Sequence, residues 1–395
     1  MALARTDSGL KILYLTEIFP DPKTGLGFWG GGERQFYELA RRVASKGHQV
    51  TILTCRFPGQ SPRDHLEGLE VIRTGISRNP RTGGATLSLP KVIGYFGSTI
   101  RAAARVDCDI IHCNAFYPVI AGRVVSSIKG IPMVSTFHDL PAPGAWEAYT
   151  DSYLWSRLGY LATVAAAKSA KGEVLTVSEN AKSKLVRQVG GVVSVIPNGV
   201  DISLLDSAGV ERNEGQVLYV GRLVKYKRVG LLISAFKEVA ASIPDARLVI
   251  VGDGPERMSL ESMASSLPSG RISFTGTLST NEGVAKMFRE SSVFVLPSVM
   301  EGEGIVLKEA MASRLPVVAT RARDSGVLNL VDDGKNGLLV EPDSPHALAE
   351  SIVKLLSNKQ LRDTLGAAGR RFAEKWSWEA YAETVLERYR RALAN

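Results

Sequence analysis

Cysteine is scarce: Cys55, Cys108 and Cys113 are the only three in 395 residues. An odd trio cannot staple a small secreted scaffold, so the chain is expected in a reducing compartment, its thiols in strands or core rather than on zinc. No apolar run reaches the roughly eighteen residues that a spanning helix needs. The opening MALARTDSGLK lacks the hydrophobic stretch of a secretory signal, so a cytoplasmic location is expected, with the cytosolic face of a membrane still open. No short-period repeat or low-complexity tract is visible, which argues against a solenoid. Neither VGDGPE nor GGGER has the G-x-G-x-x-G spacing of a dinucleotide fingerprint, which weakens a dehydrogenase reading. The D-x-D triplet Asp107-Cys108-Asp109 precedes an apolar run and reads as a strand-entry turn, so no metal site is expected there.

What is present points to two α/β domains. An apolar content of 45% over 395 residues is too much for one ordinary core. KILYLTEIF, HQVTILTCRF and DIIHCNAF read as buried strands separated by helical stretches such as ERQFYELARRVASKG. After Asp201 the alternation restarts with QVLYVGRL, RVGLLISAFKEVAAS, ARLVIVGDG, RISFTGTL, SVFVLPS, GIVLKEAMAS and PVVAT. Each half therefore predicts a parallel sheet covered by helices on both faces. The turn residues of VIPNGVD and the polar DSAGVERNEG put the boundary near 200, giving domains 1–200 and 201–377. A last helix over about 378–395 places Trp378, Tyr381, Val385 and Tyr389 at helical spacing and is expected to pack back on the first domain.

Charge is distributed unevenly. Residues 1–200 hold 23 Lys and Arg against 15 Asp and Glu, while the remainder holds 25 of each. The whole excess thus lies in the first half, which suggests an anionic acceptor, membrane surface or nucleic acid as its partner.

The stretch SVMEGEGIVLKEAM sets Glu301 and Glu309 eight residues apart around two glycines. It reads as strand, glycine-punctuated turn and helix, with Ile305, Leu307 and Met311 on the core side. Such a turn aims free N–H groups and a positive helix end at an anion, which suits a diphosphate. Glu309, just over one turn into the helix, can accept from vicinal hydroxyls such as those of a ribose. Glutamates at helix starts are also common on solvated faces. GRLVKYKRV adds Arg222, Lys225, Lys227 and Arg228 in one βα loop, where cations could bind phosphate oxygens or simply be solvated. GGGERQF offers Gly30, Gly31 and Gly32 at a helix entry, where backbone can approach phosphate closely.

Taken together, GGGERQFYELARRVASKGHQVTILT, TFHD, VIPNGVD, VGRLVKYK, VGDGPE, FTGTL and PSVMEGEGIVLKEAMASRLPVVAT resemble the family 4 glycosyltransferases, a large retaining group. The resemblance runs from about residue 11 to the C-terminus, and its most specific element is the E-x7-E pair Glu301 and Glu309. It implies the GT-B fold, two Rossmann-like β/α/β domains facing each other across a cleft. The donor would be a nucleoside-diphosphate sugar, held mainly by the second domain without a metal cofactor. It further implies Arg222 and Lys227 as diphosphate ligands, Glu309 as ribose ligand, and Glu301 with the backbone of Gly302, Glu303, Gly304 and Ile305 as the donor-sugar contact. Gly30 and Gly31 resemble glycines whose amides meet the diphosphate or acceptor. His138 resembles the histidine beside the transferred sugar, where the residue alone reads equally as a buried structural imidazole. Gly252, Gly276 and Leu278 would shape the base pocket.

Two positions depart from the family pattern. Glu303 stands where an aromatic is usual, which would put a third carboxylate near the phosphates unless it turns outward. RDSGVLNLV replaces a Gly-Gly-x-x-Glu segment.

For the acceptor side, Arg78, Arg81 and Lys91 are candidates. KVIGYFGSTIRAAARV puts Val92, Ile93, Phe96 and Ile100 on one helical face and Lys91, Ser98, Arg101 and Arg105 on another. That pattern fits an ordinary packed helix as well as a basic amphipathic one on an anionic membrane surface. The expected activity is hexosyl transfer to a carbohydrate or lipid-linked acceptor, with no nucleic acid partner. The alternatives are a nucleotide-sugar epimerase or phosphorylase of the same fold, or an inactive carbohydrate- or nucleic-acid-binding relative.

Overall fold

A computed structural model describes residues 9–21, 30–74, 89–140, 153–206, 211–278, 280–323 and 325–394. The chain divides into two compact units, residues 1–197 with 378–395, and residues 198–377.

Unit 1 begins with β1 (Lys11–Leu15), α1 (Gly31–Ser45), β2 (Gln49–Cys55), β3 (Arg63–Leu66) and β4 (Leu69–Thr74). It continues through α2 (Leu89–Arg105), β5 (Ile110–Asn114), α3 (Phe116–Lys129), β6 (Met133–Phe137), α4 (Tyr153–Ser169), β7 (Glu173–Thr176), α5 (Glu179–Val189) and β8 (Val193–Val195). Its eight described strands form one sheet in the order β3-β4-β2-β1-β5-β6-β7-β8, parallel except for the β3–β4 pair. β5 and β6 are buried along their whole length, as expected where helices cover both faces. The order reverses at β1, with Ile12 facing both Val50 of β2 and Ile110 of β5. Loops leaving β1 and β5 therefore diverge at their carboxyl ends and leave a crevice for ligands. All three cysteines are buried, and none is in a disulfide. Asp109 accepts from the Lys11 amide at 2.8 Å and Asp107 pairs with the Lys11 ammonium at 2.6 Å, so the D-x-D triplet ties β5 to β1.

Unit 2 runs through α6 (Ile202–Asp206), β9 (Gln216–Val220), α7 (Val229–Ser242), β10 (Arg247–Val251), α8 (Arg257–Ala264), β11 (Ile272–Gly276) and α9 (Asn281–Glu290). It closes with β12 (Val293–Leu296), α10 (Ile305–Ala312), β13 (Val317–Thr320), β14 (Leu338–Val340), α11 (Pro345–Ser357) and α12 (Lys359–Ala373). Its sheet order is β11-β10-β9-β12-β13-β14, all parallel, and here the order reverses between β9 and β12.

The last helix, α13 (Trp378–Ala394), belongs to unit 1 and packs against α1. Trp378, Tyr381, Val385 and Tyr389 are all buried there. The Tyr389 hydroxyl lies 2.5 Å from His112 Nδ1 and donates to the Tyr14 hydroxyl at 2.9 Å, while Arg42 Nε donates to Glu379 at 2.8 Å. Burial lowers the His112 imidazole to about 3, so it is neutral in the fold.

In α2 the packed side is broader than its sequence reading, while Arg101 and Arg105 are exposed as expected and the side chains of Val92 and Ile93 lie outside the described residues. Its most buried described residues are Tyr95, Thr99 and Ala103, while Phe96 and Ile100 are half-buried. Tyr95 and Phe96 both meet Tyr117 of α3 edge-on, so the two residues share the packed side. Among the described residues no helix is long and apolar enough to cross a membrane.

Candidate active site

At the switch point of unit 2, two turns meet at the carboxyl ends of β9 and β12. The first follows β9, where Lys225–Lys227 make one tight helical turn and Arg228 adopts a left-handed conformation (φ 52°) before α7. A non-glycine residue there costs on the order of 1 kcal/mol, so the loop shape is imposed by its surroundings. Tyr219 donates to the Arg222 carbonyl at 3.0 Å, and Arg222 Nη2 donates to the Tyr226 hydroxyl at 2.7 Å. The second turn follows β12. The Val299 amide donates to the Tyr226 carbonyl at 3.0 Å and joins it to the first. Lys227 Nζ then reaches Glu301 Oε1 at 2.5 Å, both side chains being largely buried. Arg222, Lys227 and Glu301, 79 positions apart at the extremes, are thus assembled at one strand end. Gly304, left-handed at φ 94°, caps α10, and Glu309 lies buried just over one turn further in. α10 presents free backbone N–H groups at Ile305 in the same turn.

Glu303 corrects the sequence reading that allowed it to turn outward, because its side chain points into the protein. It is buried, accepts from the amide of Asn198 at 3.1 Å and from the Asn198 side chain, and pairs with Lys308. Lys308 also donates to the Asn198 carbonyl at 2.7 Å and lies 4.8 Å from the Trp376 ring centroid. Burial pushes the Glu303 carboxyl up and the Lys308 ammonium down, and their contact opposes both shifts. The Glu303–Lys308 ion pair, through its bonds to Asn198, anchors the glycine turn to the start of unit 2. The divergent segment RDSGVLNLV closes on the same turn. Gly326 donates its amide to the Glu301 carbonyl at 2.8 Å, and a side chain at 326 would strike the Gly302 carbonyl.

Gly252 and Gly276 end β10 and β11, where the Gly252 amide donates to the Gly276 carbonyl at 2.9 Å. Gly252 has φ 131° and abuts the Gly221 carbonyl, so any side chain would force the ends of β9 and β10 apart. Arg257, which the sequence reading omitted, sits beside Gly276 and pairs with Asp253 at 3.1 Å and Glu261 at 2.8 Å. Leu278 is half-buried against the unit 2 core.

In unit 1, β6 ends at Phe137 and delivers His138 to the carboxyl edge of the sheet. His138 packs directly over Gly32, where a Cβ would come within 2.9 Å of the imidazole. Gly30 caps α1 in an extended conformation and Gly31 begins it. The sequence reading singled out Gly30 and Gly31, yet Gly32 is the glycine whose missing side chain admits the imidazole. His138 Nε2 lies 2.7 Å from Asn114 Oδ1. Asn114 Nδ2 donates to Thr16 Oγ1 at 3.3 Å, and Thr16 in turn donates to the Ile18 carbonyl at 2.9 Å. Because the Thr16 proton is committed to a carbonyl, Asn114 must turn its NH2 to Thr16 and its oxygen to His138. Nε2 therefore carries the imidazole proton and Nδ1 the lone pair. Burial lowers His138 to about 4, which keeps the ring neutral. The backbone turns at Ala115 (φ 59°, ψ −151°) directly after Asn114. Asn114 was legible only as a polar residue closing an apolar strand at a sheet switch point.

Arg78 and Arg81 lie outside the described residues, and Lys91 falls in α2 with its side chain outside them.

Two doubly wound α/β units, each with polar or charged residues gathered at the carboxyl ends of its strands, define an architecture that binds ligands at those strand ends. Comparison with known proteins makes this specific. Residues 29–204 match the family model Glycosyltransferase Family 4, and residues 204–372 match Glycosyl transferases group 1. An uncharacterized glycosyltransferase of Methanocaldococcus jannaschii is 33% identical over 282 residues, covering 71% of this chain and 75% of that protein. The alpha-maltose-1-phosphate synthase of Mycolicibacterium smegmatis is 30% identical over 345 residues, covering 80% and 87%. Among solved structures, sucrose-phosphate synthase from Thermosynechococcus elongatus matches with a TM-score of 0.81 at 25% identity, over 97% of this chain and 99% of that one. The chain belongs to the family 4 glycosyltransferases, has the GT-B fold, and is a glycosyltransferase.

Proposed function

We propose that this enzyme is a retaining hexosyltransferase that takes a nucleoside-diphosphate sugar as donor and a carbohydrate or lipid-linked molecule as acceptor. The observation that carries this reading is the Lys227–Glu301 contact at the switch point of unit 2, with Arg222 in the same loop and Glu309 in the following helix. Two relatives are named for products that contain a hexose, which supports a hexose-type donor.

In the reaction, the acceptor hydroxyl oxygen bonds to the anomeric carbon while the bond from that carbon to the diphosphate oxygen breaks. The diphosphate leaves with the electron pair, and the acceptor proton passes to it. Retention follows when the acceptor attacks on the face that the diphosphate leaves. Arg222 and Lys227 neutralise the growing negative charge, assisted by N–H groups at the start of α10. The positive charge comes from the chain itself, so no metal cofactor is required by this reading. Before the donor binds, Glu301 balances Lys227. When a phosphate oxygen takes over the ammonium, Glu301 is released to accept from sugar hydroxyls. Glu309 takes the ribose hydroxyls, and within unit 1 the neutral His138 offers Nδ1 as a hydrogen-bond acceptor for a substrate hydroxyl.

The test is thermal stabilisation across a panel of nucleoside diphosphates and their sugars, since a ligand that binds only the folded state raises the melting temperature by mass action. Glu309→Ala should abolish the shift produced by the best ligand. An unchanged shift would refute the ribose assignment. Incubating the best donor without acceptor, with and without phosphate, separates slow hydrolysis from epimerase or phosphorylase chemistry.

A further inference from the structure

The excess positive charge of the first half has a defined location in the fold. Right-handed crossovers put α2, α3, α4 and α5 side by side on one face of the unit 1 sheet, with α1 and α13 on the other. α2, α3 and α4 together contain seven Lys and Arg and not one Asp or Glu. Arg101, Arg105, Arg157 and Lys168 are exposed.

The same layer also exposes aliphatic surface. Val124 and Ile128 on α3 are 40% and 66% exposed, and Leu154, Leu158 and Leu161 on α4 are 65%, 44% and 59% exposed. With Val186 on α5 and Val192 just beyond it, seven of the ten exposed large hydrophobic side chains among the described residues lie on or beside this layer. The α4 leucines recur at i, i+4 and i+7, so they form one stripe along the helix, which Arg157 and Lys168 share. A helix layer with only its inner side to bury has no folding reason to carry that stripe outward.

We propose that the outer surface of α2 to α5 docks on a bilayer of anionic phospholipids, with the α4 leucines at the headgroup boundary and the basic side chains against lipid phosphates. A bilayer uses both properties at once: aliphatic groups leave water while cations meet the negative surface. A second copy of the chain would set two faces rich in Lys and Arg against each other, with Glu179 of α5 the one carboxylate on these four helices, and like-charge repulsion opposes that pairing. A single-stranded nucleic acid would use the cations but would find aliphatic side chains where stacking calls for aromatic ones.

The experiment is flotation of the full chain with vesicles of phosphatidylcholine alone and with about one quarter phosphatidylglycerol. No sugar nucleotide is present, so the outcome is independent of the glycosyl-transfer reading. Binding to the anionic vesicles should exceed binding to the neutral ones by about tenfold or more and weaken in high salt. Leu154→Ser/Leu158→Ser/Leu161→Ser should lower it by about tenfold without changing the melting temperature, since these side chains are exposed. Arg101→Glu/Arg105→Glu should remove the preference for anionic lipid. The proposal is overturned by no binding to either vesicle, by equal binding to both, or by a leucine variant that binds like the parent. It is also overturned if light scattering shows a dimer that the leucine variant loses, or if single-stranded RNA displaces the chain from vesicles.

Discussion

The two units hold their candidate residues by opposite means. In unit 2 the site is built of charge pairs: Lys227 with Glu301, Lys308 with Glu303, and Arg257 with Asp253 and Glu261. In unit 1 it is built of neutral hydrogen bonds, running from His138 through Asn114 to Thr16, with burial keeping the imidazole uncharged. A partly exposed charge pair can open to an incoming anion, because phosphate replaces carboxylate beside the cation. A neutral chain cannot exchange partners in that way, but it fixes which ring nitrogen carries the proton. The first arrangement suits a group that arrives and leaves, and the second suits one that must stay oriented.

The largest expected effect breaks a unit 2 pair that is fully buried. Glu303→Gln leaves Lys308 without its counter-ion and should lower the unfolding free energy by about 3–5 kcal/mol in denaturant titrations. Glu303→Phe combined with Lys308→Leu removes both charges and should recover most of that loss; failure to recover would mean that the pair contributes more than charge balance. Next, Arg222→Ala or Lys227→Ala should depress kcat by about two to three orders of magnitude with the donor that most stabilises the parent enzyme. A drop below about tenfold in both would remove them from the leaving group.

A third prediction turns on the neutral chemistry of unit 1. His112 and His138 are held at about 3 and about 4 against an ordinary 6.5. Below that ordinary value the unfolded chain takes up protons that the folded chain refuses, so stability rises with pH across this window. Their contribution is complete above about pH 6.5 and lost as pH falls toward 4, at up to about 1.4 kcal/mol per pH unit for each imidazole. Urea titrations at several pH values should show the slope, and His112→Gln should remove the share of one ring. The smallest expected effect comes from a chelator. EDTA should change turnover by less than about twofold if, as proposed, Arg222 and Lys227 neutralise the leaving diphosphate; a large loss would replace that account of unit 2.

Much of this architecture was readable in one dimension because it is set locally. KILYL, TILTC, LVIV and VFVL are apolar runs that only a strand covered on both faces satisfies, and each became one. The Glu301 and Glu309 spacing around a glycine turn was equally visible. The destination of Glu303 was not: Lys308 lies five positions on, but Asn198, which holds both of them inside, lies 105 positions away. Nor was the role of Asn114, which depends on Thr16, 98 positions earlier, spending its proton on a carbonyl. On α2, two adjacent helical faces had similar apolar content, and both Tyr95 and Phe96 meet Tyr117 of α3, so the packed side is broader than one stripe.

By itself the sequence determined the alternation of strands and helices, the division into two α/β halves, the family signature, and a charge excess confined to the first half. These follow from periodicity, turn chemistry and composition, which act over a few residues at a time. Only the tertiary structure decided that Lys227 meets Glu301, that Glu303 turns inward to Lys308, that Asn114 sets the proton of His138, and that three acid-free helices share one face with the exposed leucines. Those facts depend on which distant strand ends and helices the sheet order makes neighbours, and hydrogen bonds and ion pairs act only between groups that the fold has already brought within about 3 Å.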